Sequence, residues 1–178
     1  MAADYYSAPP PPVTASGSPL TWKLEPRAGG TLAHLSGEIN ENADLLELRR
    51  QLRGDVELDL ENITRVNSCG VREWVNFVRA LDGHVDALQF ARCSPVVVLQ
   101  LNTIFNFRGS ARVVSFLAPY VCEVCHVDEY RLLVVAEHFP DRANPHVPAF
   151  RCGRCGGVMV FDELPERYLS FLIEEAAE

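Results

Sequence analysis

Hydrophobic positions change their period several times along this chain, and the changes mark its elements. Trp22 and Leu24, then Leu32 to Leu35, sit either side of Gly29-Gly30, which predicts two strands joined by a hairpin turn. Leu45, Leu48 and Leu52 recur at helical spacing and predict a helix over residues 41–53. Asp55-Val-Glu-Leu-Asp-Leu60 alternates strictly, as a strand with one buried face does. Val71, Trp74, Val75, Val78 and Leu81 form one apolar stripe and predict a helix over 69–81. Its other face carries Arg72, Glu73, Asn76 and Arg79. Asp86 to Ala91 reads as a strand, Pro95 to Leu101 as a helix behind a Ser94 cap, and Arg112 to Leu117 as a strand. Strands alternating with helices imply an α/β fold, with a parallel or mixed sheet covered by helices.

The pattern differs at both ends. Residues 1–19 hold Pro9 to Pro12 and then Ser16, Gly17, Ser18 and Pro19, too little apolar surface to offset ordering entropy. A disordered, partly polyproline tail is expected there. Tyr130 to Ala136 reads as a strand with Val158 to Phe161 as its partner. Pro165 to Glu175 reads as a helix with Tyr168, Leu169 and Leu172 on its apolar face, packing either on the preceding unit or on the first domain. The expected organisation is therefore a tail (1–19), an α/β domain (20–117), a small β-rich unit (118–163) and a terminal helix (164–178), within the reach of 178 residues.

Two cysteine pairs supply the candidate chemistry: Cys122-Glu-Val-Cys125 and Cys152-Gly-Arg-Cys155. Each Cys-x-x-Cys turn presents two thiolates from one knuckle, and two knuckles make the tetrahedral sulfur cage that Zn²⁺ favours. The 26 residues between the pairs exceed the usual gap, but one long hairpin fills it. Gly153, Gly156 and Gly157 loosen the second knuckle, and His126 is a spare ligand should one cysteine stay out. Two disulfides or two independent redox pairs are the competing readings. The start of the chain shows neither a basic region nor an apolar run of signal-peptide type, and no apolar run reaches membrane-spanning length. A cytoplasmic protein without membrane insertion is expected, where reduced thiols favour metal over disulfides. The Asn62-Ile63-Thr64 sequon is then irrelevant. Residues 118–163 are too few to fold on apolar burial alone, whereas a structural zinc contributes about 10–16 kcal/mol in finger peptides. A chelator is thus expected to unfold this unit and leave residues 20–117 folded.

Net charge is −8, and residues 118–178, with 5 Arg against 11 Asp or Glu, hold −6 of it. The four-cysteine unit over residues 118–163 is expected to be a zinc ribbon; many ribbons bind nucleic acid through Lys and Arg, but an acidic one is not expected to. Arg outnumbers Lys 15 to 1, which hints at a GC-rich bacterial genome.

The segment Leu58-Asp-Leu-Glu-Asn-Ile-Thr-Arg-Val-Asn-Ser-Cys-Gly-Val71 resembles the signature of STAS domains, the fold of bacterial anti-sigma factor antagonists. Members carry a strand ending in Asp-Leu, a short loop, and Asp-Ser-Ser-Gly or Asp-Ser-Thr-Gly opening a helix. Leu35-Ser-Gly-Glu-Ile-Asn40 is similar to the family's second strand and its Gly-Glu-Leu-Asp element, and the order of elements fits over residues 20–117. The resemblance implies a non-enzymatic signalling module that recognises a protein partner, such as a kinase-type anti-sigma factor or another regulator. The partner would meet the Asn67–Arg72 loop and helix face (Asn67, Ser68, Cys69, Gly70, Arg72), with Asn40 on the neighbouring loop. The family's phosphorylated hydroxyl is replaced here by Cys69, and its aspartates by Asn67 and Asn40, so the usual phosphorylation switch is not expected. Ser68 occupies the other position of the motif.

Loss of two negative charges beside a helix N-terminus would suit an anionic ligand or acidic partner side chain. Asn67 and Ser68 are equally standard helix caps. Two further functions compete: a STAS subunit of an ABC transporter, using a similar surface, and a thiol redox sensor through Cys69 at the helix start. Cys69 and Cys93 read more simply as small hydrophobes. No phosphate loop, His-Glu-x-x-His or nucleophile elbow is visible, and His34, His84, His138 and His146 show no ligand spacing, so no enzyme is expected.

Overall fold

The computed structural model describes residues 19–142 and 144–177. The tail expected over 1–19 therefore lies outside the described residues, Pro19 excepted. Five strands build the first sheet in sequence order: β1 (Thr21–Arg27), β2 (Gly30–Ile39), β3 (Asp55–Val66), β4 (Ala87–Ala91) and β5 (Arg112–Val113). β1 and β2 form the expected antiparallel hairpin, and β2 to β5 run parallel, so the sheet is mixed. Helices α1 (Leu45–Gln51), α2 (Ser68–Leu81) and α3 (Pro95–Thr103) provide the crossovers. The apolar stripe of α2 buries Trp74, Phe77, Val78 and Leu81. The Trp74 ring packs against Phe77, Phe90 and Phe107, and its indole N–H donates to the Phe107 carbonyl at 3.0 Å.

A second, antiparallel sheet has the order β7-β6-β9-β8, with β6 Ser115–Cys122, β7 Asp128–Val134, β8 Phe150–Arg151 and β9 Val158–Phe161. Short helices α4 (Val135–His138) and α5 (Pro165–Tyr168) and the terminal α6 (Ser170–Ala177) complete the chain. The two sheets share one apolar core. Phe116 of β6 is its hinge, with ring centroids 5.8 Å from Phe139 and 5.2 Å from Phe171.

Several expected bounds and pairings are corrected, some of them for a local polar reason. The first helix starts at Leu45 rather than 41, because Asn40 Oδ1 takes the Asn42 N–H and Asp44 Oδ1 caps the helix through the Glu47 N–H. β3 continues past Leu60 to Val66, because Asp59 Oδ1 accepts the Glu61 N–H and the pairing with β2 resumes after a register shift. The run Arg112 to Leu117 divides: Arg112–Val113 closes the first sheet and Ser115 opens the second. The expected boundary between residues 117 and 118 falls inside β6. β7 and β9 are not partners, since β6 lies between them and pairs with both. The last helix breaks at Leu169, where Asn102 of α3 binds the Tyr168 carbonyl at 2.9 Å, the Phe171 N–H at 2.9 Å and the Ser170 hydroxyl at 2.8 Å. Those bonds and the Tyr168 hydroxyl, donating to Leu117 O at 2.7 Å, seat the terminal helices across both sheets.

Candidate functional site

The two Cys-x-x-Cys turns converge at one end of the second sheet. The Sγ atoms of Cys122, Cys125, Cys152 and Cys155 all lie within 4.8 Å of one another. The Cys122–Cys155 separation is 3.5 Å and the Cys125–Cys152 separation 3.7 Å. A tetrahedral ion with sulfur at about 2.3 Å requires S···S edges of about 3.8 Å, and no pair is bonded as a disulfide. Four thiols at this spacing suit a single metal ion, since each sulfur neighbours the other three rather than one partner.

The two knuckles have the same backbone design. The Cys122 N–H donates to Val127 O at 3.0 Å and the His126 N–H to Cys122 O at 3.0 Å. In the second, the Cys152 N–H donates to Gly157 O at 2.8 Å and the Gly156 N–H to Cys152 O at 2.9 Å. The fifth residue of each turn is left-handed, His126 with φ 54° and Gly156 with φ 72°. His126 therefore occupies the turn position of a glycine, outside the group of four sulfurs. Gly157 is required for closeness, as a β-carbon there would press on the Val124 side chain and approach Cys122 Sγ to 3.3 Å. The Cys125 N–H facing Cys122 Sγ holds that thiol down at about 6. Cys125 has the Val127 N–H facing it, yet burial and shared protons with the other sulfurs push it up to about 12. Such a split arises when close thiols cannot all ionise together without a cation among them.

The loop before α2 holds the second group of candidates. Asn67 is the helix cap: its Oδ1 accepts the Gly70 N–H at 2.7 Å and its Nδ2 donates to Glu41 Oε2 at 2.9 Å. That bond, with the Glu41 backbone, holds the Glu41 carboxyl below its usual range. An acid of the chain itself thus faces Asn67. Gly70 is buried with its α-carbon so near β2 that a β-carbon would collide with the Ile39 carbonyl oxygen. Ser68, Cys69 and Arg72 are exposed around it, or partly so, and Asn40 lies across the loop as part-buried turn former. Cys93 is a core residue whose thiol is pushed up by burial.

One cluster was not visible in the sequence. Asp59, 3% exposed, accepts two hydrogen bonds from the Arg92 guanidinium and one at 2.6 Å from His34 Nδ1. Arg92 also reaches Glu61 at 3.0 Å, and His34 Nε2 lies 3.4 Å from Glu25. The members come from β1, β2, β3 and the turn after β4, so only the strand pairing brings them together. Alternation along β3 turns Asp59 away from Leu58 and Leu60, and no spacing names its partners. No described helix is long and apolar enough to cross a membrane. No protein-family model matches this sequence, and no curated protein matches it.

Proposed function

We propose that this protein is a non-enzymatic regulatory module of STAS type that recognises a protein partner through the start of α2, carried on a body stabilised by Zn²⁺ in the four-cysteine cage. Thiolate donors in a closed tetrahedron favour zinc in a structural role. One observation carries the binding reading. Gly70 lets the first turn of α2 abut β2, and the Asn67–Glu41 bond joins the two loops, so that Asn40, Ser68, Cys69 and Arg72 lie on one accessible surface. Among the described residues the Arg72 side chain bonds only its neighbour Glu73, at 3.2 Å; it is 74% exposed and available to an acidic group of the partner. Because Cys69 stands where the family has its phosphoacceptor, this chain acts as an unphosphorylated binder or scaffold. The test is native pull-down with mass spectrometry from the source cell, comparing wild type with Arg72→Glu. Loss of a kinase-type or other regulatory protein in the variant is the expected result. Loss of transporter subunits would replace this reading with the ABC-transporter one, and an unchanged set of proteins would remove the surface altogether.

A further inference from the structure

A cleft of about 500 Å³ opens where α3, the second sheet and α5 meet. Pro119 and Tyr130, cross-strand neighbours on β6 and β7, line it together with Leu99 and Tyr168. Asp162 and Glu163, on the turn between β9 and α5, line it as well. A hollow of about 270 Å³ continues along Pro119, Tyr130 and Asp162 to Asp128 and Glu129. Leu99 is 51% exposed in this cleft, although it belongs to an otherwise well-packed helix.

The acids here differ from three in the middle of β3. Glu57, Asp59 and Glu61 are each paired with an arginine of the chain. Among the described residues, none hydrogen-bonds or ion-pairs with the side chains of Asp128, Asp162 or Glu163. The Asp162 N–H is tied to Pro119 O at 3.0 Å, which fixes its backbone beside β6, and Tyr130 and Tyr168 supply the aromatic floor of the cleft. The nearest buried base, Arg131, is held by Glu129 at 2.6 Å, and one exposed base, Arg167, also lines the cleft. An α-helix, about 10 Å across, would fill this volume with roughly one turn, so the space fits an extended chain.

We propose that this cleft docks an extended, arginine-bearing segment of a partner protein. The aromatic floor accepts the face of a guanidinium, and the two carboxylates accept its fork of N–H donors. Lysine, a compact and strongly hydrated charge, uses neither feature as well. The cleft shares no residue with the α2 surface, so a partner segment can engage here while that surface is occupied. The test is amide NMR of the metal-loaded full chain titrated with an acetylated, amidated tetra-arginine peptide, with tetra-lysine and tetra-glutamate peptides as controls. The arginine peptide is expected to shift the amides of Tyr130, Asp162, Glu163 and Arg167. Asp162→Asn with Glu163→Gln should weaken it about tenfold, and Tyr130→Leu about threefold, with thermal unfolding unchanged. Shifts spread over other acidic surface, equal binding of tetra-lysine, or unchanged affinity in the double variant would each overturn the proposal.

Discussion

At the scale of single residues, the chain's chemistry rests on backbone positions as much as on side chains. His126 is the clearest case. It sits left-handed in a knuckle whose twin uses Gly156, and a non-glycine residue there costs on the order of 1 kcal/mol. His126→Gly is expected to keep full metal affinity and to raise the melting temperature by about 2–4 °C. A competition titration with a chromophoric chelator and a thermal melt check this; weakened metal binding would make His126 a ligand. The cysteines themselves were legible in the sequence because each knuckle is local, four residues long, and its chemistry permits few uses. Gly70 was legible only as part of a motif, since the reason for it, the Ile39 carbonyl, comes from a strand about thirty residues earlier. The His34–Asp59–Arg92 cluster was not legible at all, because its members are 25 and 33 residues apart and meet only through strand register.

At the scale of elements, hydrophobic period predicted the type of nearly every strand and helix but not where several of them end. The ends are decided by side chains that capture backbone groups: Asn40 and Asp44 before α1, Asp59 within β3, and Asn102 at the break before α6. Pairing in the second sheet is not legible for a related reason, as nothing local tells Val158–Phe161 that β6 rather than β7 is its neighbour. Asp59 also sets the pH behaviour of β3. Burial alone would raise its pKa, but the Arg92 hydrogen bonds, then His34 and the Glu61 N–H, hold it below the ordinary aspartate value. A depressed folded value gives stability that is present above the unfolded pKa, near 3.9, and is lost as pH falls through the folded one. Asp59→Asn should therefore cost on the order of 2 kcal/mol near neutrality, because the Arg92 guanidinium loses two charge-assisted hydrogen bonds and is left to the Glu61 carboxylate. Urea unfolding followed down to about pH 3 should show the gap between variant and wild type narrowing as the wild-type carboxyl protonates.

At the scale of the whole molecule, the metal end and the sheet end are joined by β6. Its first residue accepts the Cys93 and Arg92 N–H groups of the first sheet, and its last is a cage cysteine. Unfolding on removal of metal from the cage is expected to spread only part of the way along that strand. In hydrogen exchange, amides of Cys122, His126, Cys152 and Gly156 should lose protection on chelation, whereas those of Cys93, Val114 and Leu117 should keep it. Metal analysis of the untreated protein should give one zinc per chain. Loss of protection across β1 to β5 would mean that the metal governs the entire fold. The shared strand also bears on ancestry. A ribbon acquired by joining two ready-made genes would sit behind a linker, and either part could later be exchanged by recombination. Here a crossover between residues 117 and 118 would cut β6 in the middle, strand Phe116 without Phe139 and Phe171, and leave Cys122 on a remnant of its strand. Neither half would keep its own core after such a cut, since one apolar cluster runs through both sheets.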